Sequence, residues 1–214
     1  MAGIEAARYD APTTRYGHGV LGEGGEWGAL VLTLSDGRKR RLSLPETRVF
    51  EDTAPRLADV DGDGGAEVIV VESSLSRGAR LAIYDETGLI AATPPIGRPN
   101  RWLAPVGVAD LDSDGHVELA HVDRPHLARV LRVWRYRDGA LHHVADAPGV
   151  TNHRIGWDYI PGGVRDCGPG PEMIVASADW ARVVAATLRE GRITTRTLCP
   201  YDGPDSLDAA RACP

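Results

Sequence analysis

An internal repeat restricts how this chain can fold more than any other feature of the sequence. The pattern Asp-x-Asp-x-Asp-Gly-x-x-Glu occupies residues 59–67 and returns 51 residues later, without a gap, at 110–118. A decayed third copy at 163–176 keeps only Asp166 and Glu172. Repeats of this length are supersecondary units that bury their apolar faces against their neighbours. The chain is therefore predicted to be an array of similar units.

Short strands fill each repeat. In each repeat, the apolar strand after the acidic loop is followed by a second stretch in which side chains alternate as in a strand, at residues 81–84, 130–136 and 183–188. Turn dipeptides such as Asp138-Gly139 then precede a fourth short strand, and four strands per unit are typical of a propeller blade. We therefore predict an all-β fold, a single four-bladed β-propeller over residues 1–200 with four antiparallel strands per blade. The predicted blades are residues 14–50, 54–100, 103–148 and 153–199, and residues 201–214 form a C-terminal tail or clasp.

The first blade diverges most from the repeat. Its inner strand is assigned to Gly17–Gly22, followed by a strand at 29–34, an Asp36-Gly37 turn and a strand at 41–44. Gly17–Gly22 also matches the glycine pattern of dinucleotide sites, but it leads into a strand instead of a helix, so this match is rejected. The only helical pattern is at 206–212, near the end of the chain.

The two acidic loops have the composition of calcium sites. Alternating Asp residues place three carboxylates around one point, the glycine allows a sharp turn, and a carbonyl and the Glu complete an oxygen shell. Without a cation such carboxylates repel one another strongly. An EF-hand needs its Glu at position twelve, where this chain has Val70 and His121. The predicted ligands are Asp59, Asp61, Asp63, Gly65, Glu67, Asp110, Asp112, Asp114, His116 and Glu118.

These loops and their flanking strands resemble the FG-GAP/VCBS repeats found in integrin α-subunit propellers and in many bacterial exported proteins. The resemblance is close over 54–74 and 103–124, partial over 158–178, and only architectural before residue 50. It implies that each loop joins the first and second strands of a blade and holds calcium in a structural role. We therefore expect two Ca²⁺ ions, and none at the third copy.

Polar residues gather in the loops predicted to lie at the other end of the blades. Arginine binds anions through forked hydrogen bonds, and tryptophan stacks on sugar rings. An alternative is that repeated arginines, such as Arg80, Arg129 and Arg182, brace neighbouring blades. The candidate ligand-binding residues are Arg56, Arg101, Trp102, His121, Arg124, Trp157, Asp158 and Trp180.

Two functional interpretations remain open, with a structural domain of a larger assembly as a third. One is a non-catalytic module that binds a saccharide, an anionic small molecule or a protein. The other is a hydrolase or lyase acting on a saccharide or another anionic substrate. No nucleophile elbow, zinc-protease motif or phosphate loop is present. The candidate catalytic residues are His18, Asp123, His126, His153 and Arg154.

Charge and hydropathy exclude some classes of partner. The net charge of −6 is local, because eight carboxylates lie in the two acidic loops. No basic run exceeds Arg38–Arg41, so nucleic-acid binding is not expected, and no apolar run is long enough to predict a membrane span. No signal peptide is visible, yet the resemblance to exported proteins favours a periplasmic or secreted location.

Three cysteines are too few for a disulfide framework. Cys199 and Cys213 bracket a short segment rich in Pro, Gly and Asp. They either close this segment as a clasp, with Cys167 unpaired, or remain free thiols.

Overall fold

The computed structural model describes residues 2–213, and antiparallel strands dominate it. The prediction of an all-β fold is confirmed. The one helix within 2–213, α1 (Asp205–Arg211), lies where the sequence predicts it. The chain divides into two compact units. The first unit comprises Met1–Trp102, Asp138–Leu141 and Ile155–Asp158. The second unit comprises Leu103–Arg137, His142–Arg154 and Tyr159–Pro214. The four-bladed propeller stays a prediction.

The first unit contains an eight-stranded sheet in the order β1-β2-β4-β6-β7-β8, with β3 paired to β2 and β5 paired to β6. Its long apolar strand β6 is buried over almost its whole length, because β7 covers one edge and β4 and β5 share the other. The strands are β1 (Ile4–Pro12), β2 (Glu26–Leu34), β3 (Lys39–Ser43), β4 (Arg48–Glu51), β5 (Arg56–Ala58), β6 (Glu67–Ser74), β7 (Gly78–Tyr84) and β8 (Leu89–Ala92). Leu30, Phe50 and Val70 belong to its core.

The segment Gly17–Gly22 is a loop, so its prediction as an inner strand is wrong. Its glycines Gly17, Gly19 and Gly22 have positive φ angles, which are incompatible with a regular strand. The carboxylate of Glu26 also accepts backbone hydrogen bonds from three successive residues at 16–18, which curls the chain around it. The strand that pairs with β2 in this region is instead β1.

The second unit contains two sheets. One is a four-stranded meander in the order β12-β11-β10-β9, and in the other β14 and β13 pair with β15, followed by β16 and β17. The strands are β9 (Leu103–Ala109), β10 (Glu118–Asp123), β11 (Val130–Arg137), β12 (Ala140–Pro148), β13 (Val150–Thr151), β14 (Gly163–Asp166), β15 (Pro171–Ser177), β16 (Arg182–Arg189) and β17 (Arg192–Pro200). Apolar side chains of both sheets, including Val122, Leu131 and Met173, form one core.

Glycine on β9 allows the two sheets of the second unit to approach closely. A Cβ atom at Gly107 would lie 2.5 Å from Cγ2 of Val164 on β14, a distance that real side chains do not reach. The glycine at this position therefore reflects crowding between the two sheets.

A disulfide joins Cys167 and Cys213, and Cys199 is a half-buried free thiol. The predicted alternatives, a Cys199–Cys213 clasp or free thiols throughout, are therefore both wrong. Cys167 lies in the turn between β14 and β15, and α1 brings Cys213 back to it. The pairing depends on this return of the chain, which sequence spacing does not reveal.

Within residues 2–213, no helix combines the length and the apolar composition required to cross a bilayer.

Candidate metal centre

The two acidic loops join equivalent strands. The first acidic loop, residues 59–67, connects β5 to β6, and the second acidic loop, residues 110–118, connects β9 to β10. Gly62 and Ser113, which are equivalent in the repeat, both have left-handed backbone angles, with φ of 77° and 61°. The glycines two residues further on share a φ of 89°. Both loops therefore have the same conformation, and each joins the first strand of its repeat to the second.

Each loop begins with an Asp that organises the turn. Oδ2 of Asp59 accepts a hydrogen bond from the backbone N–H of Gly64 at 3.0 Å, and Oδ2 of Asp110 accepts one from Gly115 at 2.9 Å. Such bonds from an Asp side chain to the backbone that follows it stabilise tight turns. They curl the acidic residues toward a common centre.

Each loop ends with a buried Glu at the start of the second strand. Oε2 of Glu67 accepts a hydrogen bond from the backbone N–H of Val60 at 2.9 Å, and Glu118 does the same with Leu111 at 2.7 Å. The Glu therefore closes the loop across its base. Its second carboxylate oxygen remains available to a cation or to another donor.

Carboxylate oxygens converge in both loops. In the first acidic loop, one oxygen from each of Asp59, Asp61 and Glu67 lies within 4.8 Å of the others. The equivalent residues Asp110, Asp112 and Glu118 converge in the second. A set made only of oxygen ligands suits Ca²⁺, with the remaining Asp of each loop and the carbonyls of Gly65 and His116 as further predicted ligands.

The first acidic loop has no positive side chain of its own. The ion pairs formed among residues 2–213 include no contact to Asp59, Asp61, Asp63 or Glu67. Burial raises the pKa of Glu67, and repulsion from Asp61, Asp59 and Asp63 raises it further. This loop fits a cation from solution.

The second acidic loop contains a guanidinium group. Arg135 of β11 donates from Nε to Oε1 of Glu118 at 2.6 Å and from Nη2 to Oδ2 of Asp112 at 2.7 Å, and its Nη1 lies 2.8 Å from Oδ2 of Asp114. Burial raises the pKa of Glu118, but the hydrogen bond from Arg135 opposes this shift. Three of the four carboxylates in this loop thus already have a cationic partner.

Sequence reasoning missed Arg135, although a signal for it exists. Leu131 and Val133 alternate with polar residues along β11 and are buried in the core of the second unit. Arg135 continues the same alternation and therefore points to the side that these apolar residues share. A charged residue in an apolar register needs a partner of opposite charge, and Glu118 is its ladder partner on β10.

The third loop, residues 166–172, is neutralised more completely. Arg165 and Arg196 both donate to the carboxylate of Glu172, with contacts from 2.7 to 3.1 Å. Burial opposes ionisation of Glu172, but the two arginines outweigh it and lower the pKa of this carboxyl. Asp166 accepts hydrogen bonds from the backbone of its own turn. Both carboxylates of this loop are therefore engaged by hydrogen bonds from arginine side chains or from the backbone.

The predicted polar residues of the first unit are mostly engaged. Nδ1 of His18 lies 2.6 Å from Oε1 of the buried Glu51. Trp102 is 2% exposed and donates to the carbonyl of Glu51, so its ring is packed inside the structure and is not presented to a ligand as predicted. Arg101 is half-buried and donates to the carbonyl of Asn100.

Arg56 is held by a buried carboxylate. It donates from both terminal nitrogens to Asp52, at 2.8 and 3.1 Å. The same carboxylate accepts hydrogen bonds from Tyr9 and from the backbone of Val71. Arg56 therefore braces the first unit, as does Arg80 through its contacts with Glu72. In the other loop of this unit, Trp157 is half-buried and Asp158 is exposed.

In the second unit, a predicted catalytic residue, Asp123, and a predicted ligand-binding residue, His121, are buried among charges. Arg124 donates to both oxygens of Asp123, at 3.0 and 2.8 Å, and Arg132 lies 3.6 Å from the same carboxylate. His121 is 3% exposed, and burial lowers its pKa to about 4. A buried neutral His and a paired Asp are structural rather than solvent-facing groups.

The other predicted residues of this unit form two pairs. Nε2 of His126 lies 3.1 Å from Nδ1 of the buried His153. The guanidinium of the exposed Arg154 lies 4.5 Å from the ring centre of Trp180, a cation–π contact. Arg154 thus covers one face of the tryptophan that was predicted to stack on a ligand.

Comparison with known families identifies the repeat. No curated protein matches the chain. Residues 59–121, which include both acidic loops, match the family model described as an FG-GAP-like repeat, and this confirms the predicted resemblance.

Proposed function

We propose that this chain is a calcium-binding FG-GAP-repeat module in which the metal has a structural role. One observation carries the proposal: the oxygens of Asp59, Asp61 and Glu67 converge within 4.8 Å in a loop to which residues 2–213 bring no counter-cation. Asp63 and the carbonyl of Gly65 are the further ligands expected. A bound Ca²⁺ supplies positive charge that removes the repulsion among these carboxylates and joins β5 firmly to β6.

Thermal unfolding with and without calcium tests this function. A ligand present at one hundred times its Kd stabilises the folded state by about 2.7 kcal/mol, which corresponds to about 5–10 °C in Tm for a chain of this size. We expect that rise for the native protein and its loss in Asp61→Ala. Asp36→Ala removes a carboxylate from a different hairpin turn and should leave the rise intact. A native Tm that does not respond to calcium would contradict the proposal.

Closure of the sheets into a four-bladed propeller is part of the same proposal. The 51-residue repeat and the antiparallel four-stranded meander of β9–β12 support it. A crystal structure of the calcium-loaded protein tests the closure and the ligand set together.

A periplasmic or secreted location agrees with this function. Disulfides persist in oxidising compartments, and the chain contains the Cys167–Cys213 bond. Calcium at millimolar concentration outside the cytoplasm would keep even a weak site filled.

We further propose that the module binds a partner and is not catalytic. Arg154 and Trp180 combine an exposed guanidinium with an aromatic ring, the chemistry that recognises a saccharide, an anionic small molecule or an acidic protein surface. The engagement of Asp123 by Arg124 and the burial of His121 weigh against an acid–base site at these residues.

One observation favours the second candidate, a hydrolase or lyase. His18 is held at 2.6 Å from the buried Glu51, and a carboxylate in this position orients an imidazole for proton transfer. Hydrolysis of a saccharide that is lost in His18→Asn but kept in His142→Asn, a change at an exposed histidine, would support the enzyme. Equal turnover by both variants would exclude His18 from catalysis.

A further inference from the structure

The side chain beside the closing Glu differs between the two acidic loops. In the second repeat unit, Glu118 is the ladder partner of Arg135. In the first, the ladder between β6 and β7 extends only to Val68 and Tyr84, and the carboxylate of Asp85, the next residue, accepts hydrogen bonds from the backbone of its own turn. The sequence motif is therefore the same, but among residues 2–213 only the second loop has a guanidinium group beside it.

Arg135 contacts the oxygens that a metal in the second acidic loop would need. Its three contacts, at 2.6 to 2.8 Å, reach Asp112, Asp114 and Glu118, which are the third, fifth and ninth residues of the motif. A guanidinium is always charged and offers five donors in a fixed plane. Ca²⁺ would have to displace these charge-assisted hydrogen bonds or share their oxygens with a second cation.

We propose that Arg135 is the built-in cation of the second acidic loop, so that the chain binds one Ca²⁺, at the first acidic loop, where the sequence predicts two. This inference rests on the proposed calcium-binding function. It adds that the two loops are not equivalent: the first takes its positive charge from solution, and the second takes it from β11.

One carboxylate oxygen of the second acidic loop, Oδ1 of Asp112, is buried without a hydrogen-bond partner. A buried acceptor with no donor is costly, and a metal ion at the centre of the loop would satisfy it. The loop therefore retains the shape of a metal site, which should become functional once the guanidinium is removed.

In the third loop, arginine side chains also pair with the Glu that closes the loop. Glu172 corresponds to Glu67 and Glu118 in the repeat, and it is held by Arg165 and Arg196. In both loops, arginine side chains therefore supply the positive charge that a metal ion would otherwise supply, and these arginines lie on different strands. The second acidic loop keeps all its carboxylates and has one arginine, whereas the third has lost most of its carboxylates and has two.

The number of calcium ions bound tests the proposal directly. Calorimetric titration of the chelator-treated full chain with Ca²⁺ should give one site for the native protein and one for Asp112→Asn. Asp61→Asn should bind none, and Arg135→Met should bind two. Affinity at the second acidic loop of the native protein should be at least about 100-fold weaker, since charge-assisted hydrogen bonds must be broken. Arg132→Met, which removes another paired arginine of β11, should still bind one.

The outcomes separate this inference from the function on which it rests. Two sites in the native protein, one of them lost in Asp112→Asn, would overturn the role of Arg135 and leave calcium binding intact. No binding by the native protein, but one site in Arg135→Met, would support the role of Arg135 and contradict the first acidic loop as a site. No binding by any variant would contradict both. If Arg135→Met does not fold, the comparison of the native protein with Asp112→Asn still decides the question.

Discussion

The first and second acidic loops are nearly identical in backbone and differ in where their positive charge comes from. Gly64 and Gly115 share the same φ, and Glu67 and Glu118 close their loops with equivalent hydrogen bonds. Among residues 2–213, only the second loop receives a side-chain cation, Arg135. A repeat thus preserves the conformation of a loop through its glycines and turn-forming aspartates, whereas the metal affinity that we propose depends on a neighbouring strand that the motif does not include.

The third loop extends this comparison. It has lost most of its carboxylates, yet it still joins β14 to β15 at the place where the other loops join their strands. Its Glu172 is paired with arginines, and Cys167 in its turn is bonded to Cys213. Three equivalent loops are therefore stabilised by three means: a metal as proposed, an internal guanidinium, and a disulfide with ion pairs.

Substitution of Arg135 should cause the largest change in the free energy of unfolding. In calcium-free solution, Arg135→Met leaves Glu118, whose side chain is fully buried, without its charged partner, and such a loss costs about 3–5 kcal/mol. Urea unfolding measures the change. Arg132→Met breaks a half-exposed pair with Asp146 and a longer contact with Asp123, which keeps Arg124 as its partner, and should cost about 1 kcal/mol. Equal losses in both variants would show that Arg135 is no more than a surface partner.

Loss of the Cys167–Cys213 disulfide of the third loop should cause the second-largest change in the free energy of unfolding. Cys213→Ser releases the turn that contains Cys167, and loss of such a disulfide typically costs about 2–4 kcal/mol. Cys199→Ser changes the free thiol and is the matched control, with an expected loss below about 1 kcal/mol. Denaturant midpoints under non-reducing conditions give both values. Similar losses in the two variants would support the Cys199–Cys213 pairing instead.

The smallest expected effect is a difference in pH response between the repeats. His121 on β10 corresponds to Val70 on β6, which does not titrate. Burial lowers the pKa of His121 to about 4, against an unfolded value of about 6.5, so the folded state resists protonation. Its contribution to stability is complete above pH 6.5 and is lost as the pH falls toward 4.

This pH response can be measured against a variant that copies the other repeat. Between pH 7.5 and pH 5, His121 should account for about 2 kcal/mol of lost stability, and His121→Val should lose that much less over the same interval. The native protein is compared with the variant because the charged groups around His121 are present in both, so their own pH dependence cancels in the difference. These groups are Asp123, Arg132, His143 and Asp146. Parallel pH profiles would contradict the burial of a neutral histidine.

Local patterns predicted much of the fold and the acidic loops. The acidic loops, their glycines and the strands that follow them depend on short-range sterics and alternation, and these were predicted to within a few residues. The inner strand at Gly17–Gly22 was wrong because Glu26, a residue outside the segment, gathers its backbone N–H groups into a loop. This prediction failed because a partner outside the segment determines its conformation.

The sequence by itself determined the repeat, the all-β fold and the acidic residues that converge in the two loops, because each is contained in contiguous residues and their spacing. Only the tertiary structure decided which cysteines pair, that Trp102 is buried, and that Arg135 reaches the carboxylates of the second acidic loop. These features join residues distant in sequence, and strand register and the path of the chain determine whether such residues meet. Hydrogen bonds and close ion pairs form only between groups a few ångströms apart, so the chemistry of a site depends on which residues the fold brings together and not on the motif alone.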